Sequence, residues 1–325
     1  MIKTYFYKHA DGTMHHDVDL NQISTLLADE RNLLWVDLFD WQPRDLQWLG
    51  RIFSFHALAI EDCIYDSPRS KVDRYDGYDF FELHALRYNE DRDPEIDSEE
   101  LNVFLGKNYV VTVHKNPIES IGRIADVSRK TPHYMTKGPD YLLYAIVDGI
   151  TDTYFPIIER ISARIDELEV EIYEHPALAI TEEFLSLKRT IVLMRRVIDP
   201  QRRIFSTVGT GTRYTFEVHK DNVPYYMDLT DHLERISDSI EIFRDLVSSA
   251  LETYSSYGTA KTNEAIRMLT IITTLTATLT LITGIFGMNV PLPFQRSWWS
   301  TVLVVAIMVG LCIWMIRVFR KRNWI

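Results

Sequence analysis

Two uncharged runs near the C-terminus constrain this chain more than any other feature. From Met268 to Gln295, and again from Ser297 to Ile316, there is no Asp, Glu, Lys or Arg, and only Arg296 separates the runs. Each supplies the roughly 20 helical residues, rising about 1.5 Å apiece, that cross about 30 Å of hydrocarbon. The chain is therefore expected to span a lipid bilayer twice, although a mean hydropathy of -0.11 and 46% hydrophobic residues would describe an ordinary soluble protein.

Beyond Glu264 the charged residues are Arg267, Arg296, Arg317, Arg320, Lys321 and Arg322, all cations, so a net charge of -11 leaves -17 on the residues before them. A domain that acidic is a poor partner for nucleic acid and a good one for divalent cations. Lys261 and Arg267 precede the first run and four cations follow the second. The positive-inside rule then puts both termini in the cytoplasm, with the turn Gly287-Met288-Asn289 outside the plasma (inner) membrane. The N-terminus lacks the pattern of a signal peptide. Cys63 and Cys312 fall in different compartments, so no disulfide is expected.

Before the membrane segments, Ile2 to Tyr7, Leu33 to Leu38, Tyr78 to Tyr88, Leu101 to Leu105 and Tyr109 to Val113 read as strands. Asp40 and Ser54 read as helix starts, His15-His16-Asp17 as a polar turn, and the acidic stretch Asn89 to Glu100 as a solvated hairpin loop. The expected organisation is an α/β cytoplasmic domain over 1–139 and a helical hairpin with its connection over 140–224. A stalk helix continuing into the first transmembrane helix follows over 225–290, then an external loop over 291–297. A second transmembrane helix over 298–319 and a basic tail over 320–325 complete it.

The stalk carries the strongest periodicity. Leu229, Leu233, Ile236, Ile240, Phe243, Val247, Ala250, Tyr254 and Tyr257 alternate four and three apart, a heptad seam for packing along a partner. On another face Asp231, Asp238, Asp245 and Glu252 recur every seven residues, followed in register by Thr259, Ile266, Thr273 and Thr280. The acidic part alone suits a solvated face. Within the membrane segment, Asn263, Ile266, Thr270, Thr273, Ala277, Thr280 and Gly284 share one stripe. Its threonines either bond their own backbone or line a polar path, and two helices per chain enclose a pore only in an oligomer. Hydroxyls and carboxamides suit a hard cation such as Mg2+, which sheds water reluctantly.

This order of parts, with Gly287-Met288-Asn289 at the outer end of the first of two terminal membrane helices, resembles the CorA family of divalent-cation channels over nearly the whole chain. Asn263-Glu264-Ala265-Ile266, Tyr141-Leu142-Leu143-Tyr144 and the ending Trp324-Ile325 add to the likeness. So does His56-Ala57-Leu58-Ala59-Ile60-Glu61-Asp62, where Ala57 replaces a proline. The resemblance implies a funnel-shaped homopentamer with Gly287, Met288 and Asn289 as the selectivity filter and Asn263 as a polar ring near the inner mouth. It places Glu252 where the stalk nears the membrane. Asp62 and Asp228 match positions at which internal Mg2+ bridges subunits and closes the channel, so that Mg2+ is both transported and regulatory, with no other cofactor. Asp62 alternatively caps a helix. Two departures stand out: Arg296 occupies a loop that is commonly acidic, and Ile266 and Ala277 replace bulkier residues, leaving Ile266 and Leu269 as a dewetting gate.

The function this implies is uptake of Mg2+, with Co2+ and Ni2+ as further cargo, driven by the membrane potential and not by an enzymatic reaction. No Gly-x-x-x-x-Gly-Lys-Ser/Thr run is present. A ZntB-like zinc transporter, proton-coupled, is the nearest alternative. A membrane-anchored scaffold that carries no ion is the third.

Overall fold

A computed structural model describes all residues except 68, 175–177, 209–215, 289–297, 323 and 325. Asn289 and the expected external loop over 291–297 lie outside the described residues. Two compact units emerge, Met1–Ala250 and Leu251–Ile325.

In the first unit, β1 (Ile2–Lys8), β2 (Thr13–His16), β3 (Leu33–Phe39), β4 (Lys71–Tyr75), β5 (Tyr78–Tyr88), β6 (Ile96–Gly106) and β7 (Tyr109–His114) form one sheet ordered β2-β1-β3-β7-β6-β5-β4. β3 and β7 run parallel and the remaining neighbours antiparallel. Leu34, Val36 and Leu38 of β3 enter the core formed with α2 (Pro43–Phe53) and α3 (Ala57–Ile64), which supply Leu46, Leu49, Ala59 and Cys63. On the opposite face Trp35 stacks on Tyr5 at 4.8 Å and donates to Thr112 Oγ1 at 3.1 Å. With both faces covered, the central strand is apolar without alternation.

Several local expectations are corrected. Ser54 ends α2 with a left-handed φ of 58°, and His56 is the cap of α3, its Nδ1 accepting from Leu58 N–H at 3.2 Å. Asp40 also has positive φ; the cap of α2 is Gln42, two residues later, whose N–H donates to Asp45 Oδ2 at 3.0 Å ahead of Pro43. Ser and Asp tolerate the left-handed region, which is why a sequence signal for starting a helix here marks a bend or an end. His15 and His16 belong to β2. The last five residues of the acidic stretch belong to strand β6, and Asp93 is held by Arg189 in a helix distant in sequence.

Three helices, α5 (Pro139–Thr151), α6 (Tyr154–Glu174) and α7 (Leu178–Phe205), follow the sheet and α4 (Glu119–Lys130). The short α1 (Ile23–Leu26) lies between β2 and β3. Helix α8 runs Val223–Phe286. Its start is tied to α5 through Asp140, whose backbone O accepts from Tyr226 Oη (2.7 Å) and whose Oδ2 accepts from Asn222 Nδ2 (2.8 Å). The heptad seam is buried from Leu229 to Ala250, whereas Tyr254 is half-buried and Tyr257 exposed. The unpacked end of the seam is a face that a single chain leaves free.

The second unit holds the remainder of α8 and α9 (Trp298–Lys321), both long and apolar enough to cross a membrane. Leu269, Leu281, Leu303 and Trp314 are each more than 60% exposed. An apolar surface of that extent requires a bilayer or other subunits to cover it.

Candidate metal sites and ion path

Helical geometry puts Thr273, Ala277, Thr280 and Gly284 on one side of α8, where they line an open groove of about 820 Å³ that Met288 also borders. Asn263, Ile266, Leu269 and Thr270 lie nearer the N-terminal part of the helix and are exposed or partly so, as is Glu252. The threonine hydroxyls mostly take the first of the two roles open to them. Thr270 donates to Ile266 O and Thr273 to Leu269 O, both at 2.8 Å, and Thr276 donates to Ile272 O at 2.6 Å. Such bonds use the hydroxyl proton and leave the oxygen lone pairs free to face a hydrated cation. The Gly287 N–H donates to Thr283 O at 2.8 Å, and a Cβ at Gly287 would stand only 3.0 Å from that oxygen. Glycine thus permits the close pass with which α8 ends, immediately before Met288 and Asn289.

Asp62 lies inside α3 and caps nothing. Its Oδ2 accepts from Lys71 Nζ at 2.7 Å, and the same ammonium is 3.3 Å from Asp73 Oδ2 and 2.9 Å from Glu82 Oε2. Lys71 and Glu82 are directly opposed across β4 and β5, and Glu82 is fully buried. Burial alone would lower the Lys71 pKa, but its ion pairs with Asp62 and Glu82 outweigh that and raise it. Burial raises the Glu82 carboxyl in spite of Lys71. Nearby, burial pushes Glu100 up to about 7 against hydrogen bonds from Asn102 and the Ser67 N–H.

Asp228 stands in a second cluster. One turn along α8, His232 Nε2 is 3.8 Å from Asp228 Oδ2, and His232 Nδ1 is 3.9 Å from Asp148 Oδ1 of α5. One ligand atom from each of the three lies within 4.8 Å of the others. Asp148 Oδ1 and His232 Nδ1 are buried without hydrogen-bond partners. Burial, and then the neighbouring Asp152, raise the Asp148 pKa. Two carboxylates and an imidazole form a donor set for a divalent ion, and the imidazole widens it from Mg2+ toward Co2+, Ni2+ and Zn2+. Within one chain, then, Asp62 and Asp228 have separate partners. The sequence reading missed Asp148, His232, Lys71 and Glu82; Asp228-x-x-x-His232, one helical turn apart, was the one signal available for them.

An acidic α/β body, two apolar spans at the C-terminal end and paired carboxylate clusters define a membrane protein that handles divalent cations. The family model described as CorA-like Mg2+ transporter protein matches residues 30–321. The cobalt/magnesium transport protein CorA of Thermotoga maritima is 34% identical over 304 residues, covering 91% of this chain and 85% of that protein. The complete CorA magnesium transporter structure from Methanocaldococcus jannaschii superimposes with a TM-score of 0.81 at 22% identity, covering 100% of this chain and 99% of that one. The ZntB cytoplasmic domain from Vibrio parahaemolyticus shares the fold at a TM-score of 0.61 and 15% identity, covering 79% of this chain and 98% of that one. The chain belongs to the CorA-like Mg2+ transporter family: it is a membrane transporter of divalent cations, not an enzyme.

Proposed function

We propose that the protein is a homopentameric channel for Mg2+, with Co2+ and Ni2+ as further cargo, whose termini both face the cytoplasm. The observation that carries this reading is the groove along α8. Thr273, Thr276 and Thr280 line it with Ala277 and Gly284 among the apolar Ile272, Leu281, Ile285 and Met288, no His, Cys, Asp or Glu occurs from Met268 to Met288, and Asn289 follows next in sequence. A path with no strong ligand passes a hydrated Mg2+ without trapping it. A divalent ion moving inward across about 100 mV gains roughly 4.6 kcal/mol, enough to drive uptake without ATP. The exposed apolar faces of α8 and α9 give five copies a surface to share with one another and with lipid.

Closure follows from the carboxylate clusters. Cytosolic Mg2+ bound at Asp62 and Asp228 neutralises facing acidic walls, and its loss lets them repel. Asp148 and His232 belong to the Asp228 site. Flux of Mg2+ into liposomes tests the reading: uptake that follows the potential, ignores a pH gradient and disappears in Asn289→Ala with the oligomer intact is the expected result. Zinc flux that tracks the pH gradient would instead support the ZntB-like alternative, which the imidazole at the Asp228 cluster favours. No flux of either metal would return the protein to the scaffold reading.

A further inference from the structure

Asp62, the residue expected to take a regulatory cation, already holds one. The Lys71 ammonium sits among three carboxylates, at 2.7 Å from Asp62, 2.9 Å from Glu82 and 3.3 Å from Asp73. The arrangement is built rather than incidental. β4 is an edge strand, its register sets Lys71 opposite Glu82, and Asp73 follows two residues on, on the same face. Glu82 is fully buried, and its two oxygens have no well-aligned hydrogen-bond donor, so Lys71 is the charge that balances it. Lys71 itself is 38% exposed at its side chain, which leaves its flexible stem a route into solvent.

We propose that Lys71 is an internal competitor for the divalent cation at Asp62: cytosolic metal must displace its ammonium, and this displacement sets the metal concentration at which the channel closes. The inference rests on the regulatory role proposed for Asp62. An ion that binds only when a fraction of molecules is competent has its affinity reduced by that fraction. If Lys71 leaves Asp62 about one tenth of the time, removing it lowers the closing concentration about tenfold. A hard cation such as Mg2+ then meets an Asp62 carboxylate that no ammonium occupies.

The test is patch recording from the full-length protein with Mg2+ stepped at the cytoplasmic face. Lys71→Met is expected to lower the half-closing Mg2+ concentration about tenfold. Lys71→Met with Glu82→Gln, which removes the stranded buried charge, lowers it by less, and Lys71→Arg leaves it near the parent value. Asp62→Asn raises the concentration, and adding Lys71→Met to it produces no further change. If Asp62→Asn shifts closure but neither Lys71→Met variant lowers the concentration, the competitor role is wrong and the regulatory role of Asp62 survives. A Lys71→Met shift that persists in the Asp62→Asn background also overturns it, by placing the effect elsewhere. If Asp62→Asn leaves closure unchanged, the regulatory role fails and the competitor role fails with it.

Discussion

Asp62 and Asp228 each stand among other potential metal ligands, but the two clusters are completed in opposite ways. At Asp62 an ammonium fills the space between the carboxylates. At Asp228 the neighbours are an imidazole and a second carboxylate, and Asp148 Oδ1 and His232 Nδ1 lack hydrogen-bond partners. The first cluster already holds a cation without metal, whereas the second gains a partner for buried polar atoms when an ion binds. Equal residue types at matching positions therefore do not make equal sites; the nearest cation decides.

Removing the internal cation should have the largest effect. Lys71→Ala leaves Glu82 buried without a counter-charge and is expected to cost about 3 kcal/mol, seen as an early thermal transition of the metal-free, detergent-solubilised protein. The loss grows as pH rises, because burial raises the Glu82 pKa and an unpaired Glu82 escapes by holding a proton only toward lower pH. A parent-like melting curve would mean that Lys71 does not balance that cluster.

Changing the other cluster should cost metal affinity rather than stability. His232→Ala is expected to weaken Co2+ and Ni2+ binding there by at least the roughly 10–100-fold that loss of even an outer-shell partner costs, while changing Mg2+ binding less. Metal-dependent shifts in melting temperature report this directly, since a ligand that binds only the folded state stabilises it in proportion to its affinity. Equal losses for Co2+ and Mg2+ would erase the distinction between an imidazole-bearing and an all-oxygen cluster.

The smallest effect belongs to Glu100, close to the Asp62 side. Its folded pKa of about 7 lies above the ordinary 4.5, so the folded state binds more protons than the unfolded one between those values. Stability is thus fullest below about 4.5 and falls as pH rises through about 7. Glu100→Gln should flatten that slope, raising the melting temperature at pH 8 relative to the parent and leaving it little changed near pH 5. An unchanged slope would show that other groups set it.

How much was legible varies with the range of the interactions. The strand Tyr78–Tyr88 and the seam from Leu229 to Ala250 could be read because periodicity is a local property of the chain. Ser54 and Asp40 misled because a helix cap and a left-handed bend favour the same polar residues. Lys71 against Glu82 depends on strand register, and Asp148 beside His232 on the packing of α5 against α8, 84 positions apart in sequence. Neither arrangement leaves a mark in a short window.

By itself, the sequence determined that this protein crosses a bilayer twice at its C-terminal end, that an acidic α/β body precedes the crossings, and that one stripe of the long helix changes from carboxylate to hydroxyl. Length, charge and period are additive along a chain, and solvent responds to them residue by residue. Only the tertiary structure decided which carboxylates own a cation. An ion pair or a metal site is a matter of a few ångströms between side chains that the backbone brings together from distant elements, and Coulomb energy at that range depends on the packing around it.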